Sequence, residues 1–305
     1  MLEYIQQLEK EFHQSFTEVG RDAHTEAIHG LRLNLKRQRA LFQLMEHLDS
    51  TFSASLAKEA YGKLYKRIGK LRNLQVEQQV IREDEELLGV EPSFSSWLAE
   101  EAEEAKAMIR EYEASFSLVN VRRLFSLLRN RLYFVPAEAW KDRLNSYFSG
   151  RFSALRQYGI SVPGRARDFH ECRRLVKELA YNLHLIQGLC DEPGEAFSEL
   201  DWLNELQQLL GAWHDRFFSL EHIHGQQPDC PPAIPAQLQA EQRVLAEQIE
   251  EQLDQLGDRV NALEAAWESL LQSQKLLAAS RKPRPKPGSA THPAFGQVNV
   301  SEGTK

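Results

Sequence analysis

The chain has 305 residues, of which 37 are Lys or Arg and 44 are Asp or Glu, and its formal net charge is −7. The length predicts two domains or one duplicated domain. No run of about 18 apolar residues occurs, which excludes a membrane-spanning helix, and the first residues lack the apolar segment of a secretory signal. The three cysteines stand far apart. This spacing excludes a disulfide framework or a cysteine-type zinc site and predicts a location in the reducing cytoplasm.

Prolines divide the chain into long segments with helical periodicity. The first proline is Pro92, and the later ones separate segments whose apolar residues recur every 3.6 residues or so. Because hairpin signals are also missing, the sequence predicts an all-α protein. Asp22, Ser53 and Ser198 are candidate N-caps. The predicted helices are 2–18, 22–48, 53–87, 93–131 (with a possible break near 116), 138–159, 165–190, 197–224 and 236–278.

A basic motif occurs twice in the chain. The segment from His29 to Lys36 and the segment from His170 to Lys177 both read His-x2-Arg-x3-Lys, 141 residues apart. A period of this size indicates duplication of a domain-sized unit rather than a solenoid. We therefore expect two four-helix bundles, 1–131 and 138–280, related by a pseudo-two-fold axis. The segment 281–305 is rich in proline and basic residues and is predicted to be a disordered tail.

The net charge conceals large local differences. Residues 21–72 carry 11 basic and 5 acidic side chains, and residues 120–190 carry 13 and 5. Residues 191–280 carry 4 basic and 17 acidic side chains. Both copies of the repeated motif lie in the basic segments, so the overall acidity does not exclude a polyanionic ligand.

Helical geometry places the basic residues of each motif on one face, opposite an apolar face. At 100° per residue, His29, Arg32, Lys36 and Arg39 form one stripe. His170, Arg173 and Lys177 form a second stripe, flanked by Arg174. The next helix of the first half adds Lys63, Lys66, Arg67 and Lys70. Like charges at these spacings destabilise a helix by a few tenths of a kcal/mol per pair, which a multivalent anion would relieve.

These motifs resemble those of the CHAD family, the conserved histidine α-helical domain. The segment from Ile28 to Arg39 is similar to the family's opening motif, and the helix that starts near His170 is similar to its second basic helix. The segment from Leu206 to Asp215 resembles the family's Leu-Gln-x2-Leu-Gly-x3-Asp element. The resemblance covers approximately residues 1–280. Asn73 and Gln75 depart from it, because family members commonly have Asp there.

The resemblance implies a non-enzymatic module that binds inorganic polyphosphate in a basic groove between two bundles and that can localise to polyphosphate granules. It implies no cofactor. Glu178 and Ala180 replace basic residues expected after Lys177, so the second half is expected to bind more weakly. The ligand set carried over by position is His29, Arg32, Lys36, Arg37, Arg39, His170, Arg173, Arg174 and Lys177. Helical geometry rather than the family adds Lys63, Lys66, Arg67, Lys70 and Arg72.

Other interpretations of the same residues remain open. A basic groove also suits an acidic protein segment or nucleic acid, and His214, Asp215, His222 and His224 raise the minor alternative of a metal site. The segment 236–278 is most simply a core helix, with a coiled-coil surface as a minor alternative. If the two motif histidines bind the anion in their protonated form, affinity should rise as the pH falls from 8 to 6.

Overall fold

The computed structural model describes residues 1–83, 92–160, 166–188, 199–226 and 232–272. These residues form ten α-helices and no strand, which confirms the predicted all-α class. The tail 281–305 and the candidate cap Ser198 lie outside the described residues. The helices are α1 (Leu2–Arg21), α2 (Thr25–Leu48), α3 (Ser55–Glu83), α4 (Pro92–Ser115), α5 (Leu118–Phe134), α6 (Ala137–Ile160), α7 (Ala166–Gln187), α8 (Glu199–Gln226), α9 (Ala233–Asp254) and α10 (Leu256–Gln272).

The start of α2 and the division of the segment 236–278 differ from the prediction. The predicted cap Asp22 does not begin α2; its backbone N–H instead closes the last turn of α1 on the carbonyl of Glu18. The N-cap of α2 is His24, whose Nδ1 accepts a hydrogen bond from the backbone N–H of Ala27 at 3.2 Å. Histidine is not among the residue types favoured at N-caps, so the sequence did not indicate His24 as the cap. The predicted helix 236–278 is two helices, because α9 ends at Asp254 and α10 begins at Leu256.

The two halves of the chain show the same order of helix contacts. In the first half α2 packs on α1 and α3, α3 packs on α4, and α5 returns to α1. In the second half α7 packs on α6 and α8, α8 packs on α9, and α10 returns to α6. Each half therefore has five helices in the described part of the chain, one more than the predicted four. The recurrence is the pattern that a duplication would produce, and the pseudo-two-fold relation between the halves stays a prediction.

The halves meet through the two helices that carry the repeated motif. Helix α2 contacts α7, and α3 contacts α8. Asn182 of α7 crosses this boundary, because its Nδ2 donates to the carbonyl oxygen of Ala40 in α2 at 3.2 Å and to the Tyr147 hydroxyl in α6 at 2.7 Å. The buried apolar side chains of both halves belong to one continuous cluster. This packing holds the basic faces of α2 and α7 close to each other.

The apolar face of each motif helix is buried as the periodicity predicts. Leu31 and Leu35 in α2 and Val176 and Leu179 in α7 have no exposed surface. Fully burying a leucine or valine side chain contributes about 1.5–3 kcal/mol. The orientation of the two motif helices is therefore fixed by their cores. None of the described helices has the combination of length and apolarity that a membrane crossing requires.

Candidate anion-binding site

Arg32 of α2 is held against the surface of α3. Its guanidinium lies 5.7 Å from the centre of the Tyr65 ring, and its Nη2 is 3.5 Å from Oδ1 of Asn73. Between these contacts it approaches Gly69 so closely that a β-carbon there would stand 2.5 Å from Nη1. A cation over an aromatic face gains about 0.5–2 kcal/mol. Three residues of α3 thus fix the position of one charge from α2.

Four more cations share this region with Arg32. Each of the five has its pKa lowered first by burial, and each is also influenced by the charge of Asp215. We call this group the cationic cluster: Arg32 and Lys36 of α2, Arg72 of α3, Arg173 and Lys177 of α7, and Asp215 of α8. It gathers five basic side chains from both halves of the chain around one carboxylate. Anions are the chemical class that such a group attracts.

The lysines show the greatest effect of this crowding. Burial, with the nearby charges of Lys177, Arg32 and Arg173, lowers the pKa of Lys36 to about 6. Burial and the charge of Arg173 lower the pKa of Lys177 to about 7. Without an anion, these two lysines thus lose much of their charge near neutral pH. An anion that brings negative charge into the cluster would restore it.

Asp215 compensates the cluster only in part. Burial raises the pKa of its carboxyl, but the contact with His214 (3.5 Å from Nδ1 to Oδ1) and the charges of Arg173 and Lys177 outweigh burial, and the net pKa lies below its ordinary value. Asp215 is therefore ionised at neutral pH. The buried Nε of Arg173 has no hydrogen-bond partner within the described part of the chain. An unpartnered buried donor of this kind costs about 1–3 kcal/mol.

The two motif histidines lie at the edges of the cationic cluster. His29 is exposed, and burial together with Arg72 and Lys36 lowers its pKa. The ring of His170 packs edge-on against Trp213 at 5.1 Å and Phe217 at 4.8 Å, and burial, His214 and Arg173 lower its pKa. Both histidines are therefore predominantly neutral at pH 7 in the free protein.

Two predicted ligand residues of α3 face away from the cationic cluster. Arg67 stacks on Tyr112 of α4 at 4.7 Å and donates to the carbonyl oxygen of Met108 at 2.5 Å. Lys70 forms an ion pair with Glu101 of α4 at 3.2 Å. Both side chains therefore contribute to the contact between α3 and α4. The regular i, i+3, i+4 spacing identified one face of α3 but not the helix that covers it.

Five other predicted residues are not members of the cluster. Arg39, Lys63, Lys66 and Arg174 are exposed, and Arg174 lies near Tyr158 of α6. Arg37 is 3.7 Å from Glu11 of α1, on a different side of α2 from Arg32. The structure thus brings together His29, Arg32, Lys36, Arg72, His170, Arg173 and Lys177 out of the predicted set.

Several residues in contact with the cations were not predicted as ligands. Tyr65 and Gly69 position Arg32, and Asp215 sets the charge balance. Asn73 and Asp215 occupy equivalent places in the two halves, after Gly69-x2-Arg72 and Gly211-x2-His214. Because one of the pair is an amide, the cluster has one carboxylate instead of two. The repeat spacing was visible in the sequence, but it does not show which charges an Asn or Asp faces.

One of the histidines near the end of α8, His222, has a structural role. His222 Nδ1 is 2.9 Å from Oε2 of Glu77, whose side chain has 0% exposure, and the imidazole stacks on Trp97 at 5.2 Å. The hydrogen bond to Glu77 raises the pKa of His222. The part of the chain that the structure describes contains no group of three His, Cys, Asp or Glu side chains able to hold a metal ion. His222 and Glu77 therefore join α8 to α3.

The departures Glu178 and Ala180 also have places in the fold. Glu178 Oε1 accepts hydrogen bonds from Tyr147 at 2.6 Å and from Arg151 Nε at 2.7 Å, which joins α7 to α6. Ala180 is buried.

A search of curated proteins finds no match. Comparison with family models matches residues 3–224, which span α1–α8 and include every member of the cationic cluster, to the CHAD domain. The chain therefore belongs to the CHAD family, a family linked to polyphosphate binding.

Proposed function

We propose that this protein binds inorganic polyphosphate in the cationic cluster and catalyses no reaction on it. The observation that carries the proposal is the meeting of Arg32, Lys36, Arg72, Arg173 and Lys177 around a single carboxylate. Arginine donates paired, charge-assisted hydrogen bonds to phosphate oxygens, and lysine acts as a point charge. A chain of ionised phosphates supplies the repeated negative charge that this group lacks.

The burial of the cluster favours a thin ligand over a duplex. Arg32, Lys36, Arg173 and Lys177 are only partly exposed, at the junction of α2, α3, α7 and α8. An unbranched phosphate chain can enter such a junction, whereas the backbone of duplex DNA is attached to a wide helix. The exposed Arg39, Lys63, Lys66 and Arg174 would attract the same chain from a distance. We also propose that the protein is cytoplasmic and associates with polyphosphate granules.

Neighbouring arginines of α7 provide a matched test. Arg173 belongs to the cationic cluster and Arg174 is exposed. We expect Arg173→Gln to weaken binding to immobilised long-chain polyphosphate by about tenfold, since one charge-assisted contact contributes about 1.5–3 kcal/mol. It should also reduce the slope of log K against log salt by about one. Arg174→Gln should change affinity by less than about twofold.

A double substitution and a competitor complete the experiment. Arg32→Glu combined with Arg173→Glu should abolish retention on polyphosphate while helical content, followed by circular dichroism, stays unchanged. Duplex DNA of equal total charge should compete poorly. Retention of a folded double variant would refute the site, and equal competition by DNA would show a generic polyanion-binding groove. An acidic protein segment would be indicated if a polyglutamate peptide competed as well as polyphosphate.

A further inference from the structure

Lys36 of α2 is surrounded by other cations. The charges of Lys177 and Arg173 of α7 and of Arg32 act on its amine, and the carboxylate of Asp215 on α8 opposes them. The side chain of Lys36 is partly exposed, so a small reagent can reach it from the solvent. Positive charge therefore dominates the surroundings of an accessible amine.

Lys36 also differs from the lysines that have a carboxylate partner. Nζ of Lys70 is 3.2 Å from Glu101, and Nζ of Lys106 is 2.6 Å from Glu103. Among the described residues, no carboxylate lies within ion-pair distance of Lys36. Its closest electrostatic neighbours are thus the cations of the cluster, which disfavour a further positive charge.

An amine in these surroundings is a nucleophile. Burial and the neighbouring cations lower the pKa of Lys36 to about 6, so most of the amine is unprotonated at pH 8. A lysine attacks an electrophile only in that form, and proteins activate lysines by the same two means, desolvation and a nearby cation. The cations that keep Lys36 neutral also attract anions. The cluster therefore combines a nucleophile with groups that bind phosphate.

These two properties select one chemical class of reagent. An acyl phosphate carries a phosphate next to an activated carbonyl carbon. Its phosphate suits Arg32, Arg173 and Lys177, because arginine and lysine are the usual phosphate-binding side chains. A phosphate held there would bring the carbonyl carbon to the amine of Lys36. Holding two reactants together in this way accelerates their reaction.

We propose that Lys36 is a site of acylation by acyl phosphates and that its acylation weakens the binding of polyphosphate. The neutral Nζ attacks the carbonyl carbon, and the bond from that carbon to the phosphate oxygen breaks. Inorganic phosphate leaves with the electron pair of that bond, and the proton of the amine passes to solvent. The amide that forms has no charge with which to attract a phosphate. The second part of the proposal rests on the proposed function.

A bound polyphosphate should protect Lys36. One acyl phosphate brings less negative charge than the five basic side chains of the cluster can carry, so the amine stays largely neutral at pH 8. A long phosphate chain brings more negative charge, which restores the proton on the amine. It also covers the amine. We therefore expect acylation of the free protein only.

Acetyl phosphate is the probe for the first experiment. The full chain is incubated with it at pH 8, and the acetylation rate of each lysine is followed by peptide mass spectrometry. Lys36 should react about tenfold faster than Lys58 and Lys141, which are exposed and lie outside the cluster. Inorganic phosphate should remove much of this preference, and potassium chloride of equal ionic strength should not. Equal rates for the three lysines would refute the acylation site.

A neutral acetyl donor separates the amine from the phosphate-binding groups. p-Nitrophenyl acetate has no phosphate, so its preference for Lys36 over Lys58 should be smaller than that of acetyl phosphate and insensitive to inorganic phosphate. An equal preference with both donors would show a reactive amine that does not select acyl phosphates, and the proposed class of reagent would be wrong.

Lys36→Arg is the matched variant for the effect on binding, because it keeps the positive charge and lacks the amine. Treatment with acetyl phosphate should lower the polyphosphate affinity of the unmodified protein by about tenfold, the effect of one lost charge-assisted contact. The same treatment should leave the affinity of Lys36→Arg unchanged. An equal loss in the variant would assign the effect to a different lysine and refute the role of Lys36.

The outcomes distinguish this proposal from the proposed function. If polyphosphate is retained but Lys36 reacts no faster than Lys58, the acylation site is refuted and the proposed function stands. If Lys36 reacts preferentially but polyphosphate is neither retained nor protective, the proposed function is refuted and the acylation site stands. Unaltered retention after acetylation of Lys36 refutes its effect on polyphosphate binding.

Discussion

The guanidinium of Arg32 occupies the space that a side chain at position 69 would need. A β-carbon on Gly69 would stand 2.5 Å from Nη1 of Arg32, a separation that real β-carbons do not show. At Gly211, the equivalent glycine of the second half, a β-carbon would have no heavy atom of another residue's side chain or of a neighbouring element within 4 Å. The repeated glycine therefore has a steric role in the first half and none in the second.

This asymmetry predicts opposite results for the same substitution at two positions. Gly211→Ala should stabilise the protein by about 1 kcal/mol, the usual gain of alanine over glycine within a helix. Gly69→Ala should gain less stability and should weaken polyphosphate binding by about tenfold, because Arg32 has to leave its place over Tyr65. Thermal unfolding and retention on polyphosphate measure the two effects. Unaltered binding by Gly69→Ala would show that the position of Arg32 is unimportant for the ligand.

The amide at position 73 keeps the cationic cluster one charge more positive than a symmetric repeat would. An aspartate side chain has almost the same shape as an asparagine side chain, so Asn73→Asp would place a carboxylate about 3.5 Å from Arg32. We expect it to stabilise the free protein and to lower polyphosphate affinity by about tenfold, since the new charge both pairs with Arg32 and repels the ligand. Asp215→Asn should change the affinity in the opposite direction. The prediction fails if both substitutions shift the affinity the same way.

The two lysines of the cluster predict a dependence of binding on pH. Their pKa values in the free protein are about 6 and about 7, below the ordinary value of 10.5. A bound polyanion favours the protonated amines, so binding takes up protons and affinity should rise as the pH falls from 8 to 6. The pKa values of His29 and His170 are also lowered, so their protonation contributes mainly toward the acidic end of this range.

The stability of the ligand-free protein should show the reverse trend. A lysine whose folded-state pKa is lowered binds fewer protons in the folded state than in the unfolded state between those pKa values. These groups therefore make the free energy of unfolding rise with pH from about 6 toward 10.5. Lys36→Met and Lys177→Met should flatten both profiles, and the exposed Lys63→Met should leave them unchanged. If a variant with both lysines replaced keeps the same pH dependence of polyphosphate affinity as the unmodified protein, this explanation is contradicted.

The buried pair of Glu77 and His222 predicts a separate pH effect on stability alone. The hydrogen bond raises the pKa of His222, and burial raises the pKa of Glu77 despite that bond. The stabilisation by a histidine with a raised pKa is complete below its ordinary value of 6.5 and is lost as the pH rises through the folded-state value. His222→Gln should cost about 3 kcal/mol at pH 6, because it removes the cation that pairs with a buried carboxylate. The cost should be less at pH 8, because fewer molecules carry that cation as the pH rises through the raised pKa of His222.

His224→Gln is the matched control for this pair, since His224 is exposed two residues further along α8. Its melting temperature should follow that of the unmodified protein at both pH values. Polyphosphate affinity should be unaffected by His222→Gln at a temperature where that variant is folded. An equal loss of stability at pH 6 and pH 8 would show that His222 acts through packing on Trp97 instead of through its charge.

The sequence by itself determined the helical class, the boundaries of most helices and the family. These properties depend on local or repeating information: apolar periodicity for the helix faces, prolines for the ends, and His-x2-Arg-x3-Lys for the resemblance. It also showed that the positive charge is concentrated around the two motifs. The start of α2 was predicted incorrectly at Asp22, because the cap is a histidine that satisfies the backbone with its ring nitrogen.

Only the tertiary structure decided which of the basic side chains meet. Periodicity assigns a residue to one face of its helix, but the partner of that face depends on the packing of other helices. Lys70 and Arg72 are two residues apart on α3, yet Lys70 pairs with Glu101 of α4 while Arg72 faces Asp215 of α8. Arg173 and Arg174 are adjacent, and only the first belongs to the cluster. Because charges interact over distances set by helix packing, the cationic cluster exists only where four helices meet.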